Sequence, residues 1–545
     1  MRAGMALQSQ TADIAAGAQL NAPGASVVIP STDASTGRVA AEIPATPVSA
    51  IPQMMERARR AQAEWAALSI HARCAALRRL RDAIYAHRDE ITRTISLETG
   101  KPRVEAVFAE LLLSLDTVDF ISRAAPEWLK PEPVPHHNIA VKAKRGWLQY
   151  EPHGVIAIIS PWNYPFAIPL AQITPALAGG NAVLLKPSEL TPQVGALIQK
   201  VADAAELPAS LVQIVQGGGA VGAALIDARP DKLFFTGSVA TGQRIAEACA
   251  RMLIPSSLEL GGKDAMIVLR DADVNIASSA AVWGSFTNCG QACLSVERIY
   301  VDAQIADRFT ELCVEKTREL RLGPPADTGA EIGPMIRASQ MEKVEELLRD
   351  AVARGARILT GGNRRSDLGP SFFEPTVVDR VDHSMALMRE ETFGPVLAIR
   401  AVADAEEAVA LANDSQFGLS ASVWTGDAKR GAAVASRLKA GSVMVNDVAS
   451  YYGICEAPHG GVRASGWGRS HSRIGLLEMV HVKYIDIDRL PRVPKSWWFG
   501  YNETLAAAAD GFVDFLFAPR WRRRLASLAA GKRGALGTIF RKDRI

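Results

Sequence analysis

Between Ile51 and Gly100 apolar residues recur at helical spacing: Met54, Ala58, Ala61 and Trp65 share one face, and Leu77, Leu80, Ile84 and Ile91 share the face of a later helix. Gly100-Lys101-Pro102 closes that helix, with Gly at the cap and Pro close behind. A further helix is predicted from about Val104 to Ala125. Residues 131–150 are polar and extended, with Trp147 and Tyr150 near the end, and read as a strand pair outside the main core. Beyond them the texture changes. Val155–Ile159, Ala182–Leu185, Leu211–Val215 and Leu233–Phe235 are short apolar runs with helical stretches between. A second series begins at Ala265–Leu269 and includes Ile299–Val301, Arg357–Leu359 and Val443–Val445. Short buried strands alternating with helices imply parallel α/β sheets, here two domains in series. Residues 1–26, rich in Ala, Gln, Ser and Gly, read as a mobile extension, with structure beginning near Val27.

Composition narrows the class. The 545 residues are 48% hydrophobic and 22% charged, the balance of a globular protein with ample apolar surface to bury. No run of about 18 uncharged apolar residues suggests a transmembrane helix. Six cysteines exclude a disulfide scaffold and fit a reducing, cytoplasmic compartment. The net charge of +3 is uneven: Arg489–Ile545 holds twelve Lys/Arg against four Asp/Glu, a net of +8, which leaves −5 for residues 1–488. A mildly acidic body argues against nucleic-acid binding, while the tail suits an anionic surface.

Ligands of parallel sheets sit at the carboxyl ends of the strands. There, Ile159 leads into Ser160-Pro161-Trp162-Asn163, Leu185 into Lys186-Pro187-Ser188-Glu189, and Phe235 into Thr236-Gly237-Ser238 before a helix starting near Thr241. The last is a phosphate site by its small residues and helix N-terminus. Lys186 and Glu189 suit the hydroxyls of a ribose. Gly217-Gly218-Gly219-Ala220-Val221-Gly222 matches a dinucleotide fingerprint, but no acidic residue ends a strand about twenty residues on, and a flexible turn is the reading. Glu259, between Leu258 and Leu260 and beside Gly261-Gly262, is placed for a raised pKa and general-base work. Cys293 lies in a Gly-punctuated turn that follows a helical stretch from Asn275. Cys74, Cys249 and Cys313 read as buried small hydrophobes. Cys289 and Cys293 lack a second ligand pair, so no metal site is expected. A cysteine hydrolase finds little support, because no histidine is singled out by its surroundings.

Pro161-Trp162-Asn163, Lys186 to Glu189, Phe235 to Ser238, Glu259 to Lys263, Asn288-x-Gly290-Gln291-x-Cys293, Glu391-Thr392-Phe393-Gly394-Pro395 and Gly466-Trp467-Gly468-Arg469 occur in order. This series resembles the motifs of the aldehyde dehydrogenase superfamily from roughly Val27 to Asp488. The resemblance implies an α/β fold of two Rossmann-type domains with a β oligomerisation extension. Residues 27–133 with 153–261 would form the NAD(P)-binding domain, 262–456 the catalytic domain, 134–152 and 478–490 the oligomerisation strands, and 491–545 a basic amphipathic C-terminal extension. It further implies Cys293 as nucleophile, Asn163 with the Cys293 N–H as oxyanion donors, and Glu259 as the base that activates water. Trp162, Lys186, Ser188, Glu189, Gly237, Ser238, Glu391 and Phe393 would line the cofactor site. NAD is the expected cofactor, with NADP also accommodated, because Glu189 would accept the ribose 2′-hydroxyl. Relatives form dimers or tetramers. The glutamate base marks the hydrolytic type, which releases a carboxylic acid. Three positions depart from the usual pattern. His459 stands where many relatives carry Phe, Arg463 where they carry Lys, and Ser470-His471 where they place a Glu proposed to relay protons.

The tail exceeds what that family needs. Trp497-Trp498-Phe499, the helix expected over Leu505–Phe517, and Arg520-Trp521-Arg522-Arg523-Arg524 combine aromatics with a basic cluster. This suits peripheral contact at the inner face of a membrane, or packing on a neighbouring subunit. Two substrate classes follow: a medium- or long-chain or aromatic aldehyde, supported by the tail, and succinate semialdehyde, supported by a similarity of Ser295-Val296-Glu297-Arg298 to one bacterial branch. The second needs a pocket cation, which the sequence does not place, since Arg298 reads as a strand residue directed elsewhere. A non-catalytic scaffold homologue is the alternative of another class, set against by intact Cys293, Glu259 and Asn163.

Overall fold

The computed structural model describes residues 27–493, 495 and 497–527; the expected mobile extension 1–26 and the end of the basic tail lie outside the described residues. The chain divides into two compact units, one of residues up to 129 with 151–481, the other of 130–150 with 482 onward.

The first unit opens with an antiparallel ribbon, β1 (Val28–Thr32) and β2 (Val39–Pro44). Helices Ile51–Ala66, Ile70–Ala86 and Arg88–Thr99 follow, with Ala58, Ala61, Trp65, Leu77, Leu80, Ile84 and Ile91 in the core and Met54 half-buried. The single face expected for Leu77, Leu80, Ile84 and Ile91 is split between two helices, because the second ends at Ala86, before His87, and Ile91 belongs to the third. Gly100 ends the third helix at φ +77°, a left-handed conformation that suits glycine. The next helical run comprises Arg103–Ala106, Val107–Leu112 and Leu113–Trp128, and its middle stretch is a wide turn with i→i+5 bonding. On a regular helix Glu105 and Glu110 would point about 140° apart. A wide turn rotates less per residue and brings the two carboxylates toward one side.

Strands β3 (Glu132–Val134) and β4 (Lys144–Pro152) come next. The first α/β sheet then forms from β5 (Val155–Ile159), β6 (Ala182–Lys186), β7 (Val212–Ile214), β8 (Lys232–Thr236) and β9 (Ser256–Glu259), whose mutual pairings are parallel. The second sheet uses β10 (Asp264–Val268), β11 (Val296–Asp302), β12 (Arg357–Thr360), β13 (Thr376–Asp379), β14 (Val396–Val402), β15 (Ser420–Trp424) and β16 (Ser442–Val445) in the order β12-β13-β14-β11-β10-β15-β16, parallel except for β12. Each sheet has its own apolar core. The chain then returns to the first sheet: β17 (Gly466–Trp467) pairs antiparallel with β9, Gly466 opposite Glu259, completing the order β17-β9-β8-β5-β6-β7.

The Gly217–Gly222 stretch departs from its reading as a flexible turn. Gly217 and Gly218 make the turn, and Gly219–Asp227 is a helix, which the sequence obscured because glycine there disfavours helix.

In the second unit β18 (Val480–Asp488), β4 and β3 form a three-stranded sheet in that order. Lys144 Nζ lies 2.5 Å from Asp486, and His136 Nε2 lies 2.7 Å from the Tyr484 hydroxyl. The predicted tail helix is present as Glu503–Phe517, capped by Asn502.

Candidate active site

The Glu259-Leu260-Gly261-Gly262 segment runs from the last residue of β9 to the start of β10, and so links the two sheets. Its glycines allow close approach. A Cβ on Gly261 would fall 2.5 Å from a Glu391 carboxylate oxygen, and one on Gly262 would collide with the Cys293 carbonyl oxygen. The Gly262 N–H donates to Glu391 Oε1 at 2.9 Å. The Glu391 carboxylate and the Cys293 backbone thus meet at the two glycines that follow Glu259.

Helix Val274–Phe286, capped by Asp273, delivers the chain to the cysteine turn. There Asn288 (φ +50°) and Cys289 (φ +56°) are left-handed, an uncommon conformation for residues with a Cβ. Glu105 holds this turn: its carboxylate accepts the Asn288 N–H at 3.0 Å and the Thr287 hydroxyl at 3.0 Å. Cys289 is buried, whereas Cys293 is half-buried. Burial, then the charges of Asp264, Glu391 and Glu259, push the Cys293 thiol well up, so the resting group is protonated.

Asn163 follows β5. Its Nδ2 donates to the Gln291 carbonyl at 3.1 Å, which binds it to the cysteine turn. Its own carbonyl accepts from Lys101 Nζ at 2.7 Å and from Asn288 Nδ2 at 3.1 Å. Lys101 is paired at 2.7 Å with Glu110, both side chains fully buried. The second Glu110 oxygen accepts the N–H groups of Phe166 and Ala167, at the start of helix Ala167–Ala178.

Glu259 is buried, and burial raises it to about 7 against the pull of nearby Ser470 and Thr236 hydroxyls and the Arg469 charge. Its Oε2 lies 3.5 Å from Thr236 Oγ1 and 3.9 Å from His459 Nε2. Its Oε1 has no hydrogen-bond partner among the described residues.

The other expected residues lie at strand ends and loops. Lys186 ends β6, with Nζ 3.2 Å from Glu189 and 3.0 Å from the Pro187 carbonyl. Ser188 is buried, and its hydroxyl accepts the Leu190 N–H at 3.2 Å. Gly237 donates its N–H to the Glu259 carbonyl, and Ser238 caps helix Val239–Arg251. Burial and the Glu297 charge raise Glu391 to about 7. Glu297 takes the N–H groups of Thr392 and Phe393 and the Nζ of buried Lys263, which fixes the loop. The Phe393 and Trp162 rings meet edge to face, centroids 5.6 Å apart. These groups suit a dinucleotide chemically: an exposed helix N-terminus for phosphate, Lys186 with Glu189 for ribose, and a carboxylate with an aromatic where the sheets meet.

Sequence reasoning missed four residues. Lys101 and Glu110 carry no local signal of pairing. His459 and Tyr451 stand near Glu259 only because the chain returns at β17; the departure at His459 was the available clue. Arg298 is buried and donates to the carbonyls of Lys263, Leu411 and Ala412, so it is already engaged. Among the described residues no group of three or more His, Cys, Asp or Glu is arranged to hold a metal ion, and no helix is long and apolar enough to cross a membrane.

Two α/β sheets thus meet at a segment that gathers Glu391 and the Cys293 backbone beside Glu259, with strand-end loops of the kind that suit a dinucleotide. The aldehyde dehydrogenase family model matches residues 22–485, and the chain belongs to that family. It is an enzyme that oxidises an aldehyde to a carboxylic acid with NAD(P) as acceptor. The chain is 39% identical to the 4,4'-diapolycopene aldehyde oxidase of a Methylomonas species, covering 88% of this chain and 90% of that one. It is 39% identical to a putative NADP-dependent succinate-semialdehyde dehydrogenase of Mycolicibacterium smegmatis, covering 85% and 89%. An indole-3-acetaldehyde dehydrogenase solved with NAD+ superposes with a TM-score of 0.81 at 30% identity, covering 84% and 93%.

Proposed function

We propose that Cys293 is the nucleophile, that Asn163 Nδ2 and the Cys293 N–H receive the oxyanion, and that Glu259 is the base of the hydrolytic step. The carrying observation is that the Glu391 carboxylate and the Cys293 backbone meet at Gly261-Gly262, next to Glu259 in the chain, and that the Glu391 and Glu259 charges act on the Cys293 thiol. An aldehyde does not readily surrender hydride, and sulfur addition makes an alkoxide whose collapse expels it. Bound NAD(P) supplies the hydride acceptor. Cys293 then carries a thioester. Glu259, with Oε1 unpartnered and a pKa near working pH, is suited to take a proton from the water that attacks it. Lys186, Glu189, Ser188, Gly237 and Ser238 would hold the adenosine and phosphate side, and Glu391, Phe393 and Trp162 the nicotinamide side. The exposed carboxylate of Glu189 beside Lys186 supports NAD over NADP.

The substrate we favour is an apolar medium- or long-chain or aromatic aldehyde. Cations around the site are engaged: Lys101 by Glu110, Lys263 by Glu297, Lys343 by the Glu391 carbonyl, Arg469 by the carbonyls of Gly461 and Gly468, and Arg298 as above. Cys293 packs against a cluster of Leu294, Leu419 and Tyr451, and such a lining suits an apolar chain better than a carboxylate. Succinate semialdehyde is the second reading, supported by the name of the mycobacterial relative. Residues 27–133 with 153–261 and residues 262–456 would be the two halves of the enzyme, with 134–152 and 478–490 pairing between subunits of a dimer or tetramer. The six unpaired cysteines support a cytoplasmic setting, and the aromatic, basic tail supports peripheral contact with its membrane.

Decanal, benzaldehyde and succinate semialdehyde assayed with NAD and with NADP test this. The expected result is a kcat/KM for decanal with NAD at least about tenfold above that for succinate semialdehyde, a difference of about 1.4 kcal/mol, and no NADH from Cys293→Ala. The reverse ranking would transfer the enzyme to the semialdehyde reading. Activity that survives in Cys293→Ala would remove the nucleophile.

A further inference from the structure

The chain that returns after the second sheet carries three departures from the family pattern, and two of them lie beside Glu259. The return is a hairpin. His459 and Ser470 bond reciprocally, N–H to carbonyl, at 2.9 and 2.8 Å. Between them Gly466 pairs with Glu259 itself. Backbone hydrogen bonds therefore set His459 and Ser470 in register with the carboxylate.

His459 is buried. Its Nδ1 lies 2.9 Å from the Tyr451 hydroxyl and its Nε2 lies 3.9 Å from Glu259 Oε2. The Tyr452 ring meets the His459 and His471 rings edge to face, centroids 4.8 and 4.6 Å apart, which restricts both imidazoles. A Tyr451 hydroxyl that donates to Nδ1 leaves the single ring proton on Nε2, the nitrogen toward Glu259. Burial, with the charges of His471 and Arg469, holds His459 down at about 3, so the ring is neutral.

We propose that His459, held by Tyr451, is the positioning residue of Glu259, its Nε2–H steering the carboxylate so that Oε1 faces the water that cleaves the thioester. In that step the water oxygen bonds to the acyl carbon and its proton passes to Glu259. The C–S bond breaks with its electron pair on sulfur, and the sulfur recovers a proton as the carboxylic acid leaves. His459 exchanges no proton; it fixes a direction and favours the ionised carboxylate. The other groups facing Glu259 are the Thr236 hydroxyl from β8, Ser470 and Arg469 from the hairpin, Tyr452, Cys293, and more distantly Glu478. The inference rests on Glu259 as the base.

The test separates acylation from deacylation. In His459→Phe, deacylation should slow about ten- to a hundredfold, as for a misplacement of about 1 Å, while the first equivalent of NADH forms at the wild-type rate. Intact-mass measurement should find the acyl group on the protein. p-Nitrophenyl acetate without nicotinamide should give a nitrophenolate burst and then slow turnover. The acid limb of the deacylation profile should move to higher pH, because loss of the N–H favours the neutral carboxyl. His459→Gln, with an amide N–H near the same place, should restore most of the rate and the limb. Tyr451→Phe should act in the same direction more weakly, and carries the test should His459→Phe not fold. An unmoved limb, or equal losses in acylation and deacylation, would overturn the inference. Glu259→Gln run alongside should accumulate acyl-enzyme. If it does so and His459→Phe does not, the positioning role alone fails; if neither does, the base reading fails as well.

Discussion

The ammonium of Lys101 lies 2.7 Å from the main-chain oxygen of Asn163 and 2.7 Å from Glu110, with no solvent at either side chain. One buried ion pair therefore fixes the backbone of the expected oxyanion donor, while Glu110 anchors the helix that follows. Lys101→Ala leaves Glu110 buried and unpaired, which typically costs about 3–5 kcal/mol. Urea denaturation should show a loss of that size. An unchanged midpoint would show the pair to be dispensable.

Asn163→Ala should lower kcat by about 10²–10³, the usual cost of one oxyanion donor. Because Asn163 Nδ2 also donates to the Gln291 carbonyl in the cysteine turn, Asn163→Asp, which sets a carboxylate against that carbonyl and the developing oxyanion, should lose at least as much. Stopped-flow NADH formation should slow in both variants, with cofactor affinity by fluorescence titration near wild type. A loss under threefold would move the oxyanion site elsewhere.

Burial raises Glu259 to about 7 from an ordinary 4.5. As a base it must be ionised, so deacylation should fall as pH drops through about 7. Stability runs the other way. Between 4.5 and 7 the folded state binds the proton that the unfolded state has released, so this group's contribution declines as pH rises and stays low above 7. Glu259→Gln removes that penalty. It should therefore raise the melting temperature at pH 8 relative to wild type, with little difference at pH 4.5, while abolishing turnover beyond the acylated enzyme. Equal melting temperatures at pH 8 would contradict the burial argument.

Glu189 and Lys186 form a 3.2 Å pair at the end of β6. A carboxylate there would repel a ribose 2′-phosphate, and its removal would free Lys186 to meet one. Glu189→Ser should lower the KM for NADP about tenfold, equivalent to about 1.4 kcal/mol, and raise that for NAD. Initial rates with both cofactors decide this. An unchanged NADP/NAD ratio would place the discrimination elsewhere.

The elements that chain-local physics determines were legible. The buried face of Ile51–Ala66, the runs of β5, β6 and β8, and the Asn275 helix lie where spacing puts them, whereas the face expected to run from Leu77 to Ile91 is divided between two helices by the break at His87. The burial and raised pKa of Glu259 were legible because a carboxylate flanked by leucines and glycines is anomalous as mere structure. Lys101 with Glu110, and His459 with Glu259, were not, since each pair joins segments that only the tertiary fold brings together. The wide turn at Val107–Leu112 is likewise a tertiary effect, for nothing in VFAELL departs from ordinary helix. Arg298 reads in the sequence as a strand residue directed elsewhere, and it lies on β11 with its donors committed to carbonyl oxygens.

The tail carries a surface that the family fold does not require. Phe499, Phe517 and Trp521 are exposed by 82%, 71% and 65%. The cluster Arg520 to Arg524 adjoins them, although Asp514 holds Arg523 at 3.1 Å. Aromatics at headgroup depth combined with arginines, each worth about 1 kcal/mol near an anionic leaflet, should give reversible binding that weakens with salt. Flotation with vesicles containing phosphatidylserine is expected to carry the full chain at low salt and release it at 1 M NaCl. A chain ending at residue 488 should stay at the bottom while retaining turnover of soluble aldehydes. Phe517→Ser with Trp521→Ser should weaken flotation without altering subunit number by light scattering. If the truncated chain instead floats equally well, or if the pair of substitutions dissociates the oligomer, the exposed aromatics serve subunit contact and not a lipid surface.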